Sequence, residues 1–310
     1  MGSGRGYASP MKSFPDFRLT YGLTPPKATT ASERQREIAA LQTARVNALG
    51  VDGLVLYDLQ DESSRTALAR PFPFIETIDP AVYASDHLRG VTVPKIVYQS
   101  VSRRDASTLR RALQALQAGG HAVVLVGAPS RDGVSATTLS DAYALRSAEV
   151  PALPVGGIVI AERHEARGGE VDRLLAKHAQ GCSFFISQAV YAVTSTKNLL
   201  SDLHYRCARD GVPVPPVLVT LSPCGSLKTL EFMRWLGVSI PRWLENDLKH
   251  SADILETSVR VSVNLFEELS LFARDKGIPL GANIESVSLG KAEIDASVEM
   301  TRQVQRILRR

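Results

Sequence analysis

Eight times along the chain, a short apolar segment rich in Val, Ile and Leu gives way to a longer stretch with helical spacing. The apolar segments lie at Phe17–Thr24, Gly53–Leu59, Pro94–Val101, His121–Ala128, Val155–His164, Cys182–Val190, Val214–Ser222 and Pro279–Ser288. Short apolar runs of this kind suit strands buried on both faces, as parallel strands between layers of helix must be. A helix is expected from about Glu33 to Leu49, capped by Thr30 or Ser32 and stopped at Gly50. A long amphipathic helix is expected over about Ser251–Lys276, and a last one from about Lys291. Eight such units predict an α/β fold of the (β/α)8 TIM-barrel type. The rival, a doubly wound open sheet, needs a Gly-rich phosphate turn after its first strand. Here that place reads YGLTPPK, with paired prolines. The barrel is expected to occupy residues 16–310 as one domain. Residues 1–15, beginning MGSGRGYASP, read as a disordered tail or an expression scar.

Composition narrows the partners. Lys and Arg exceed Asp and Glu by four and form no basic stripe, so a nucleic-acid surface is not expected. Aromatics make up 6%, too few for a stacking surface. Cys182, Cys207 and Cys224 are odd in number and widely spaced, which is neither a disulfide framework nor a zinc motif. That usage predicts a cytoplasmic protein. No apolar run approaches the ~18 residues of a membrane span.

Barrel enzymes work at the carboxyl ends of their strands, so polar residues there are the site candidates. Gln188 stands near the end of the sixth segment, in GCSFFISQAVY. Either its amide reaches into the mouth or it satisfies loop backbone groups. Tyr98 and Gln99 end the third segment. Asp58 and Glu62 follow the second, Glu162 ends the fifth, and Glu285 interrupts the apolar eighth. A carboxyl in a partly dry mouth has its pKa raised, which suits a general acid. Asp58 and Glu62 also have a plainer role open to them, in a cap or loop salt bridge. Glu285 needs a partner, and Lys291, Arg65 or a ligand would serve. The stretch RPFPFIET, from Arg70 to Thr77, reads as a lid or an oligomer contact, because its phenylalanines are costly to expose.

The stretches YGLTPPK, AERH, EVDRLLAKHAQGC, ISQAVY and LGVSIPRWL, in this order, resemble the methylenetetrahydrofolate reductase family. The resemblance runs from about Leu19 to Ile307. It implies a TIM barrel that binds FAD in its mouth. Such enzymes pass a hydride from NAD(P)H to methylenetetrahydrofolate, giving methyltetrahydrofolate in one-carbon metabolism. It assigns Gln188 to the folate pterin, and His164, Lys177 and Glu162 to the cofactor side. Leu227 takes the place of an aromatic substrate contact. An amide offers both a donor and an acceptor to a pterin edge, and a lysine suits a pyrophosphate.

The departures from that pattern are specific. The family's catalytic glutamate precedes the paired prolines by three residues, and Gly22 stands there. The family's Arg-Gly-Asp after the fourth strand is replaced by Val126, Gly127 and Ala128. Two readings follow. One is a divergent reductase, flavin-dependent or flavin-free, in which Glu62 or Glu285 supplies the proton. The other is a non-catalytic homologue that has lost the acid, a folate binder or an accessory subunit, with a homo-oligomer as the further partner option.

Overall fold

Eight parallel strands close on themselves in chain order, β1 pairing with β8, in a computed structural model that describes residues 17–63, 67–128 and 136–310. The strands are β1 (Leu19–Leu23), β2 (Gly53–Leu56), β3 (Lys95–Ser100), β4 (Ala122–Val126), β5 (Val155–Val159), β6 (Cys182–Ala189), β7 (Val217–Leu221) and β8 (Leu280–Ile284). The helices are α1 (Ser32–Leu49), α2 (Pro80–Val82), α3 (Ala106–Ala118), α4 (Leu139–Glu149), α5 (Ala161–Arg167), α6 (Glu170–Ala179), α7 (Val193–Asp210), α8 (Leu227–Trp235), α9 (Arg242–His250), α10 (Ile254–Asp275) and α11 (Lys291–Leu308). A π-helical turn, Tyr83–His87, continues α2. This is the TIM barrel expected from the alternation. Arg65 and the tail 1–15 lie outside the described residues.

Strand parity divides the core in two. The outward faces, with Leu54, Leu56, Val97, Val123, Leu125 and Phe185 among them, pack under the helices. The inward faces place Phe17, Val55, Ile96, Ala122, Val124, Phe184, Ile186 and Leu218 in the barrel's interior. Two large rings set the backbone of β5. A Cβ on Gly156 would lie 2.5 Å from the Phe184 ring, and one on Gly157 would lie 2.6 Å from Phe185. The Gly-Gly pair lets each aromatic ring of β6 lie against β5, one on each face of the sheet.

Several local expectations change. The fifth apolar segment is cut at Val159, and AERHEAR forms α5. These residues are good helix formers with no β-branched side chain. Glu162 and His164 therefore sit on a helix rather than at a strand end. Neither Thr30 nor Ser32 caps α1, whose N-cap position is Ala31. Gln35 instead donates its amide to the Thr30 carbonyl at 2.7 Å. The helix after the fourth segment, α4, had no bounds assigned from the sequence, α9 was not foreseen, and α10 begins three residues later than expected.

Candidate functional site

The carboxyl-end mouth is built from the last inward residue of each strand. At its base is a polar layer spanning three strands. Thr20 Oγ1 donates to Asn283 Oδ1 at 2.9 Å, and Asn283 Nδ2 reaches Thr220 Oγ1 at 3.2 Å and the Tyr57 hydroxyl at 2.7 Å. The Tyr57 oxygen thus accepts from Asn283, and its own proton goes to Glu285. Tyr98 packs edge-on against Tyr57, with ring centroids 4.9 Å apart. Glu285 follows β8 directly and sits at the floor of the mouth.

Burial pushes the Glu285 carboxyl up to about 7, and the Tyr57 hydrogen bond offsets part of that rise. The residue is nevertheless only half-buried. Depth within the mouth desolvates the carboxyl, while a path to it stays open. Tyr57 is raised well above its ordinary range, first by burial and then by the Glu285 charge. Lys291, offered as a partner for Glu285, is exposed and pairs with Asp295 at 2.5 Å. The actual partner is Tyr57, which the sequence reading did not single out.

Gly22 makes this arrangement possible. A Cβ there would stand 2.8 Å from Tyr57 Cε2, 3.1 Å from the Tyr57 hydroxyl and 3.0 Å from Glu285 Cβ. Side chains from β2 and β8 fill the space that a residue on β1 would otherwise use.

Gln188 owes its direction to a register break between β6 and β7, located between Ile186 and Ala189. Such a bulge re-aims a side chain at a strand end. Ser187 and Thr220 carry the break: Thr220 N donates to Ser187 Oγ at 2.9 Å, and Thr220 Oγ1 to the Ser187 carbonyl at 2.6 Å. The Gln188 amide nitrogen then donates to the Leu236 carbonyl at 2.8 Å. One of its groups therefore serves loop backbone, the plainer of the two roles. Glu162 is raised by burial and accepts from the Ser239 backbone, so both residues hold the segment after α8 against the barrel.

The other candidates fall in different places. Gln99 has the opposite parity to Tyr98 and shares the outward face of Val97 and Leu125, so it does not line the mouth. Its amide donates to the Tyr98 carbonyl at 3.0 Å. Asp58 accepts from Arg104 at 2.8 Å, the salt-bridge role. Glu62 belongs to the loop after β2, within electrostatic reach of Arg70. Leu227 begins α8 and is exposed. Lys177 donates to the Ile158 carbonyl at 2.7 Å, and His164 Nε2 pairs with Asp202 at 2.8 Å. His164 Nδ1 stays buried without a hydrogen-bond partner among the described residues, and Val126 and Ala128 bring no charge to the end of β4.

The described parts of the loop from β2 to α2, residues 57–63 and 67–79, form a lid. Gln60 reaches the Gly127 carbonyl after β4 at 3.4 Å. Further on, Trp235 Nε1 donates to the Leu68 carbonyl at 3.0 Å, and Phe72 packs edge-on against Phe232 at 5.3 Å. Arg70 lies over the rings of Phe74, Phe232 and Trp235, 4.9–5.4 Å from their centroids. The loop thus touches the ends of units four and seven. RPFPFIET covers this barrel's own α8.

A protein of Clostridium thermocellum that binds two copies of 5-methyl-5,6,7,8-tetrahydrofolic acid matches the chain at 42% identity. The match covers 94% of this chain and 96% of that one, with a TM-score of 0.82. The chain belongs to the family of that protein. An oxaloacetate acetylhydrolase (13% identity, TM-score 0.45, covering 95% of this chain and 82% of that one) is a remote likeness that carries no functional argument. The same holds for the dihydropteroate synthase of Xanthomonas albilineans (16%, 0.43, 95% and 94%). No family model and no curated protein matches the chain. Among the described residues, no helix is long and apolar enough to cross a membrane.

Proposed function

We propose that this barrel binds a reduced folate in its mouth and reduces 5,10-methylenetetrahydrofolate to 5-methyltetrahydrofolate without a flavin. The observation that carries the reading is Glu285, a carboxyl poised near neutrality at the floor of the mouth. It lies beside the strand position from which the reductase family supplies its acid. The Clostridium thermocellum relative, which binds the product of this reaction, supports the choice of ligand.

In this reading Glu285 gives its proton to folate N10. The N10–methylene bond breaks, its electron pair staying on N10, and the N5 iminium forms. NAD(P)H supplies the hydride that turns this iminium carbon into the N5-methyl group. Tyr57, held by Asn283, then donates to the Glu285 carboxylate left behind. A general acid near neutrality is matched to this step at physiological pH. Gln188 keeps its amide oxygen for the pterin, and Tyr98 walls the ring.

The test is NAD(P)H oxidation by purified protein with methylenetetrahydrofolate and no added flavin, beside calorimetric binding of 5-methyltetrahydrofolate. Glu285→Gln is expected to lower turnover by roughly 10²–10⁴-fold and to leave affinity within a few-fold. Binding by the wild type without turnover would instead establish the non-catalytic folate reading. Absence of both would remove folate altogether.

A further inference from the structure

A second site lies at the other end of the barrel, outside the strands. A cavity of about 580 Å³ opens between the amino end of β3, the π-helical turn after α2 and the C-terminal end of α3. Its wall includes Arg89, Lys95, Leu116, Gly119 and His121. Lys95 has the outward parity on β3 and is only 4% exposed. Among the described residues its ammonium has neither a carboxylate partner nor a hydrogen-bond acceptor. The ammonium nitrogen keeps an opening, and that opening is the cavity, so an anion bound there would supply the partner that the protein does not.

His121 shares the cavity. Its ring lies against Gly119, where a Cβ would come within 3.0 Å of ring atoms. Its Nδ1 is enclosed by protein and has no hydrogen-bond partner among the described residues, so the Nε2 edge is the part of the ring that lines the cavity. Burial and the Lys95 charge press the imidazole down to about 4, so the ring is neutral at pH 7. Burial also lowers Lys95. Arg89 stands at the rim, its Nε on the Ser85 carbonyl at 2.7 Å. The nearest acid to it is the exposed Asp86, 3.7 Å away. Two cation-capable groups and an imidazole edge thus line one cavity, and no carboxylate among the described residues lines it.

We infer that this cavity binds a small oxyanion, a phosphate or a carboxylate, with Lys95 supplying the charge, His121 Nε2 a hydrogen bond and Arg89 the rim contact. The volume exceeds that of the anion alone, and Val91, Val93 and Leu116 give the rest of the wall an apolar character. The ligand is therefore an oxyanion carried on a small organic body. The site is remote from the mouth, and the inference does not depend on the folate reading.

Two probes test it: inorganic phosphate and benzoate, each titrated against sodium chloride at matched ionic strength. One or both are expected to raise Tm saturably, and the His121 imidazole pKa, followed by NMR, is expected to rise with binding. Whichever probe acts identifies the source of the oxyanion. Lys95→Met is expected to abolish the response; it keeps a side chain of similar length and breaks no hydrogen bond or ion pair seen among the described residues, so folding is not at risk. Arg89→Ala, at the exposed rim, is expected to raise the half-saturating concentration several-fold. A shift no larger than that of chloride, or one unchanged in both variants, overturns the proposal.

Discussion

A methyl carbon on residue 22 would press on Tyr57 Cε2 at 2.8 Å and on Glu285 Cβ at 3.0 Å. The glycine in YGLTPP therefore has a packing role of its own. It vacates β1 so that Tyr57 from β2 and Glu285 from β8, the two flanking strands, can meet. Gly22→Ala is expected to destabilise the protein by about 1–3 kcal/mol, as overpacking of a filled site does. Urea unfolding would measure it, and a variant as stable as wild type would mean that the two side chains move aside freely. Half of this was legible in the sequence. Glu285 declared itself as an acid in an apolar strand, and Gly22 as a departure from a motif. Their contact was not legible, because it joins residues 263 positions apart through barrel closure. Tyr98 and Gln99 teach the same point at one residue's resolution. Parity puts one in the mouth and one under the helices, and the sequence alone gave no register from which to count.

Lid, bulge and clamp are element-scale devices, and the sequence revealed them unevenly. The phenylalanines of RPFPFIET marked a cover, since exposed rings are costly. The bulge that aims Gln188 left no mark, because Ser187 and Thr220 are ordinary strand residues until they bond across a slipped register. The boundary of β5 was misread because an apolar run continued smoothly into the good helix formers of α5. Arg104 ties the two ends of the lid together. It meets Asp58 at the start at 2.8 Å and Asp79 at the end at 2.5 Å. Both Arg104 and Asp58 are nearly buried. Arg104→Met would leave Asp58 without its counter-charge, and breaking a buried pair this way costs about 3–5 kcal/mol. Asp79 is more exposed, so the lower end of that range is expected here, with faster proteolysis between residues 67 and 78. Lys291→Met, at an exposed pair, is expected to change stability by less than about 1 kcal/mol. Equal losses in the two variants would contradict the clamp.

At the scale of the whole molecule, the barrel separates a packed apolar interior from a polar mouth, and that separation makes stability depend on pH. The eightfold alternation, together with the lack of a Gly-rich turn after the first strand, was sufficient to predict this architecture over an open doubly wound sheet. It could not predict how dry the mouth is, which decides the protonation of Glu285. The folded carboxyl titrates near 7, against an ordinary value of 4.5. The native state therefore holds this proton more tightly than the unfolded chain does. The resulting stabilisation is fully present below pH 4.5 and is lost as pH rises through 7. Its size is up to about 3 kcal/mol, less to the extent that water in the mouth reaches the carboxyl. Glu285→Gln keeps the shape and removes the titration. Denaturant unfolding of both proteins from pH 4.5 to 8.5 should thus show the wild type losing stability relative to the variant, with the steepest change between pH 5 and 7. Every other titrating group is common to the two proteins and cancels in the difference. A flat difference would mean that Glu285 is ionised in the folded state throughout, and a carboxylate already ionised at pH 5 has no proton to give at pH 7.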